Sequence, residues 1–124
     1  MGTILIVEDD DDLRELFAEV LRDGSYSVAC ARNGQEALAM LDELQPCLML
    51  LDLMMPVMSG EELLQNLERT QRLGELPVVV VSAIAEQSDA PGACRFMQKP
   101  IDLNALLAVA REFCHDPVHE RPTC

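Results

Sequence analysis

The chain is short of positive charge and of lysine above all. Nine Lys and Arg stand against 22 Asp and Glu, for a formal net charge of -13, and Lys99 is the single lysine. Direct binding to nucleic acid or to anionic membranes relies on Lys and Arg and is disfavoured by this balance; basic partner surfaces and cations are favoured. Tryptophan is absent and aromatics are 3% of residues, so the core has to be aliphatic. No apolar run approaches the roughly 20 residues of a membrane span, and no basic, apolar leader precedes the first strand-like segment. A cytoplasmic protein is expected. A glycine-rich phosphate loop is missing too, its place after that segment being taken by Glu8-Asp9-Asp10, which argues against nucleotide binding. The five cysteines, Cys30, Cys47, Cys94, Cys114 and Cys124, are odd in number and lack close metal-type spacing, so reduced thiols are expected.

What is present is 49% hydrophobic residues in 124, enough for one domain that buries roughly two thirds of its unfolded surface. Strand-like runs alternate with helical periodicities, the pattern of βα units wound around a parallel sheet. Strands are expected at Ile4 to Val7, around Ser27 to Ala31, at Cys47 to Asp52, at Leu76 to Val81 and from about Cys94 to Gln98. Between them, Asp11 or Asp12 is expected to cap a helix through Leu13, Leu16, Phe17, Val20 and Leu21 that ends at Gly24. Asn33 caps the next, whose apolar face runs Ala37, Leu38, Leu41, Leu44. Ser59 and Glu62 form a capping-box pattern ahead of Leu63, Leu64 and Leu67. Ala83 to Asp89 has room for about two turns before Pro91-Gly92. Asp102 caps a last helix through Phe113. The domain is expected over residues 1-114, with 115-124 as a flexible tail.

Two strand-like runs end in acid, Ile4-Leu5-Ile6-Val7 in Glu8-Asp9 and Cys47-Leu48-Met49-Leu50-Leu51 in Asp52, and Arg95-Phe96-Met97-Gln98 runs into Lys99-Pro100. In a parallel sheet these ends meet on one edge, where such folds build their sites. Glu8, Asp9 and Asp52 together repel one another and call for a cation, most simply Mg²⁺ with its preference for hard oxygen ligands. Lys99 and the hydroxyl of Ser82 complete a receptor for a phosphoryl group, with Asp52 as nucleophile.

With these segments in view, the chain closely resembles the receiver domain of bacterial two-component response regulators, of the stand-alone CheY-like kind. The resemblance runs through Ile-Val-Glu-Asp-Asp at 6 to 10, Leu-Leu-Asp-Leu-Met-Met-Pro-Val-Met-Ser-Gly at 50 to 60, Val-Val-Ser-Ala at 80 to 83 and Lys-Pro-Ile-Asp at 99 to 102. It implies a flavodoxin-like, doubly wound five-stranded parallel sheet of order 2-1-3-4-5 in a three-layer α/β/α arrangement. It implies that Asp52 accepts phosphate from a histidine kinase or phosphotransfer protein, and that Glu8, Asp9, Asp52 and the Met54 backbone carbonyl bind Mg²⁺. Lys99 and Ser82 would hold the phosphoryl group, Phe96 would be the switch partner of Ser82, and the output would be contact with a downstream protein. Such a domain catalyses only its own phosphorylation and slow dephosphorylation, as a monomer or weak dimer. One departure is visible: between Ser82 and Lys99 the chain is roughly five residues short of the usual receiver, about one and a half helical turns, so a shortened fourth helix is expected. Two other readings remain. A phosphate-independent adaptor would keep only the fold; a haloacid-dehalogenase-like phosphatase would want a second Asp two residues after the nucleophile, where Met54 stands.

Overall fold

The computed structural model describes residues 2–53, 55, 57–72, 76–83 and 93–114. Along them run β1 (Thr3–Val7), α1 (Asp11–Asp23), β2 (Ser27–Ala31), α2 (Gly34–Leu41), β3 (Leu48–Asp52), α3 (Gly60–Arg69), β4 (Val78–Ser82), β5 (Arg95–Gln98) and α4 (Leu103–Cys114). The five strands form one parallel sheet of order β2-β1-β3-β4-β5, the expected flavodoxin-like order. β3 and β4 are buried at every residue, whereas the edge strands β2 and β5 keep exposed positions, which is why the central strands read as unbroken apolar runs.

Alternation along the strands splits the core in two. Leu5, Val7, Met49, Leu51, Val78 and Val80 face α3 through Leu63, Leu64 and Leu67. Ile4, Ile6, Leu48, Leu50, Val79 and Val81 face α1 and α4 through Phe17, Leu21, Leu106, Ala110 and Phe113. Fully burying each large aliphatic side chain contributes about 1.5–3 kcal/mol, so the sheet is held from both sides.

The helix ends correct some expectations. The cap of α1 is Asp10, not Asp11 or Asp12: its Oδ1 accepts from Asp12 N at 2.9 Å and Leu13 N at 3.1 Å. In an acidic run any carboxylate can cap, and the choice falls to the one left extended where β1 ends. Gly24 does end α1, but with φ -81°, and the left-handed residue is Ser25 at φ 74°. A Cβ at Gly24 would lie 3.0 Å from Leu107 Cδ2, a tight contact that the leucine side chain would have to relieve by a small shift. Asn33 caps α2 as expected, yet α2 ends at Leu41, before Leu44. Its end tightens into short-range bonds, with Asp42 N donating to Ala39 O and Glu43 N to Met40 O. Ser59 and Glu62 close the expected capping box on α3, and Asp102 Oδ1 accepts from Asn104 N at the start of α4.

The cysteine expectation is overturned. Cys47, just before β3, and Cys114, at the end of α4, form a disulfide with Cα atoms 5.4 Å apart across a sequence separation of 67. Cys94 is disulfide-bonded as well, and Cys30 is free. The Cys47–Cys114 pairing is made by the docking of α4 on the sheet, which no local spacing announces. No helix among the described residues is long and apolar enough to cross a membrane. The expected shortened fourth helix and the 115-124 tail lie outside the described residues.

Candidate functional site

Strand register brings the site together. β1 and β3 pair Val7 with Leu51, so Glu8 and Asp52 follow side by side; β3 and β4 pair Asp52 with Val81; β4 and β5 pair Ser82 with Gln98. One residue on, Lys99 N donates to Ser82 O at 2.8 Å. Glu8, Asp52 and Ser82 are buried at the carboxyl edge of the sheet, the edge where open α/β sheets bind ligands.

Burial makes the charges matter. Lys99 Nζ lies 2.9 Å from Glu8 Oε1 and 3.6 Å from Asp52 Oδ2, with its side chain 21% exposed. Burial pulls the ammonium down, but the two carboxylates outweigh it and its pKa stands above the usual lysine value. Asp9 is exposed, and its carboxylate joins those of Glu8 and Asp52 with ligand oxygens all within 4.8 Å of one another. Asp10, next in the acidic run, is committed to capping α1. Among the described residues, the Lys99 ammonium pairs with two carboxylates of a cluster of three. Glu8 Oε1 is buried, with the Lys99 ammonium as its ion-pair partner. An all-oxygen cluster of three carboxylates with excess negative charge fits a hard divalent cation.

The other expected positions are placed as follows. Phe96 pairs in register with Val80 and packs against the same cluster as Val80. Ser82, two residues beyond Val80, shares that face by the period of the strand. Met54 lies outside the described residues.

The structure also adds residues whose part the sequence reading did not see. A Cβ on Gly60 would fall 2.6 Å from Asp52 O and 2.8 Å from Leu53 Cα, and Gly60 N donates to Leu53 O at 3.0 Å. The start of α3 is thus pressed against the backbone that carries Asp52. Gly60→Ala is expected to cost about 2 kcal/mol through this overpacking and to slow any chemistry at Asp52; a urea unfolding midpoint equal to that of the wild type would show that the loop yields freely. Arg14, on α1, reaches back to donate from Nη1 to Glu8 O at 2.9 Å and pairs through Nη2 with Asp11. The signal available in sequence was a lone arginine in the first turns of a helix, where the dipole disfavours positive charge.

The response regulator receiver domain model matches residues 4–111. The polar-differentiation response regulator DivK of Brucella anthropi is 30% identical over 119 residues, covering 92% of this chain and 97% of that protein. The DNA-binding dual master transcriptional regulator RpaA of Synechocystis is 34% identical over 116 residues, but the chain spans only 48% of it. Among solved structures, the response regulator TrrA of Thermotoga maritima in complex with Mg(2+)-BeF superposes with a TM-score of 0.81 at 26% identity, over 91% of this chain and 99% of that one. With this sheet order, and with the matched segment running from β1 into α4, the chain belongs to the response regulator receiver domain family.

Proposed function

We propose that this receiver domain is a phospho-acceptor whose acceptor is Asp52. The observation that carries the reading is the meeting of the Asp52, Glu8 and Asp9 carboxylates with the Lys99 ammonium at the carboxyl edge of the sheet. An Asp52 carboxylate oxygen attacks the phosphorus of a phosphohistidine on a histidine kinase or phosphotransfer protein. The O–P bond forms, the P–N bond breaks, and the imidazole leaves with the electron pair. Lys99 is already drawn toward Asp52, so it can follow the developing charge onto the phosphoryl oxygens, to which the Ser82 hydroxyl would offer a further donor. Glu8, Asp9 and Asp52, with the Met54 carbonyl, would hold Mg²⁺, whose charge offsets the repulsion between an incoming phosphoryl group and these carboxylates. Family likeness to a regulator solved with Mg(2+)-BeF supports that assignment.

Ser82 then turns toward the phosphoryl group and Phe96 moves into the vacated space on their shared face, changing the surface that a downstream protein reads. The domain acts as a signalling module without multiple-turnover catalysis. We place it in the cytoplasm, where the Cys47–Cys114 pair, each residue no more than 5% exposed, is sheltered from thiolate attack. Incubation with acetyl phosphate and Mg²⁺ is expected to add one phosphoryl mass, and Asp52→Asn to abolish it; labelling that persists in that variant at another residue would sink the assignment.

A further inference from the structure

We propose that Arg14 is a positioning residue that sets the Glu8–Asp10 turn in its cation-binding shape, an inference that rests on reading Glu8, Asp9 and Asp52 as the cation site. The Glu8 peptide is held at both ends. Its N–H donates to Ala31 O of β2 at 3.1 Å, and its carbonyl accepts from Arg14 Nη1 at 2.9 Å. Through Nη2 the same guanidinium pairs with Asp11, so one planar fork ties the last residue before the turn to the first residue of α1. Inside that span, Asp10 N donates to Glu8 Oε2 at 3.2 Å, and the Asp10 side chain caps α1. Asp9, the exposed member of the cluster, sits between these fixed points.

Its place is otherwise unfavourable. A cation near the positive end of a helix is opposed by the dipole, and an arginine side chain only 14% exposed has given up much of its rotamer freedom. The return is that Glu8 and Asp9 need no rearrangement when a cation arrives. Residues that orient metal ligands without touching the metal typically change affinity by 10–100-fold when removed.

The test turns on the sign of the effect. Taken as a charge alone, Arg14 repels a divalent cation, and its loss would tighten binding. Taken as a positioning residue, it supports the ligands, and its loss weakens binding. Mg²⁺ affinity of the full chain, measured by titration calorimetry, is expected to fall about tenfold in Arg14→Ala. Arg14→Lys keeps the charge and the fold but has no fork to hold Glu8 O and Asp11 together, so a smaller loss of several-fold is expected. Arg22→Ala, which removes the same charge from an exposed site on the same helix, is expected to bind Mg²⁺ as tightly as the wild type or slightly more so. In the metal-free protein, the Asp10 amide is expected to exchange faster with solvent in both Arg14 variants, with the thermal midpoint of Arg14→Lys unchanged. Wild-type affinity or tighter in Arg14→Ala, or in Arg14→Lys should the alanine variant fail to fold, would overturn the role of Arg14. A wild-type chain that binds no Mg²⁺ would overturn the site reading itself.

Discussion

Cys114→Ala is expected to lower the stability of the domain by about 4 kcal/mol, the loop-closure value for a bridge of this span. The disulfide joins residues 67 apart in sequence with Cα atoms 5.4 Å apart, within the range that native bridges use. Without it, the unfolded chain regains the freedom of a loop that contains β3, α3, β4, β5 and α4. Cys114 is 2% exposed and belongs to the cluster formed by Phe17, Leu48, Leu106 and Phe113, so alanine also leaves a small void. Cys30→Ala, at the free cysteine of β2, is the control and is expected to cost much less. Urea unfolding under non-reducing conditions decides: equal midpoints for Cys114→Ala and the wild type would mean that the bridge does not constrain the chain in solution. A site at the opposite end of β3 should feel little of this, so Mg²⁺ affinity is expected to survive in the folded fraction.

Lys99→Met is expected to destabilise the protein by about 3 kcal/mol in the presence of a chelator and to regain most of that loss in Mg²⁺. Methionine keeps the stem volume, so the change is mainly one of charge. Removing one partner of a buried ion pair costs about 3–5 kcal/mol because the remaining charge is stranded; the lower figure applies here because the ammonium keeps 21% of its side chain in solvent. Glu8, 2% exposed, would lose the ammonium that lies 2.9 Å from its Oε1, and Asp52 would lose the same group at 3.6 Å. The pH dependence has a definite sign. Since the folded-state pKa of Lys99 is raised, its contribution is fully present below the unfolded value of about 10.4 and is lost as the pH rises through the folded one. The gap between wild type and variant should therefore be constant from neutral pH to about 10 and close above it. A variant as stable as the wild type in chelator at pH 7 would show that the carboxylates do not depend on Lys99.

The strand ends were legible because period and punctuation are local. Val7 before Glu8 and Leu51 before Asp52 each mark the point at which an apolar run meets a charge, Lys99 closes the short mixed run Arg95 to Gln98, and parallel pairing then puts those points on one edge. Ser59 with Glu62, and Asn33 with Glu36, were legible for the same reason, since a cap and its partner lie three residues apart. Where several residues offer the same chemistry, local sequence does not choose between them. Asp10, Asp11 and Asp12 are all competent caps, and the end of β1 chose Asp10.

By itself, the sequence determined the wound parallel sheet, the two-sided aliphatic core and the acidic edge facing one lysine, because each of these follows from residue type at short spacing. Tertiary structure alone decided the rest. It brought Cys47 to Cys114 across 67 residues, set Gly60 against the carbonyl of Asp52, turned Arg14 back onto Glu8 and set the Lys99 ammonium 2.9 Å from the buried Glu8 Oε1. These are encounters between elements, and their distances come from how helices seat on a close-packed sheet, where shifts of an ångström change partners.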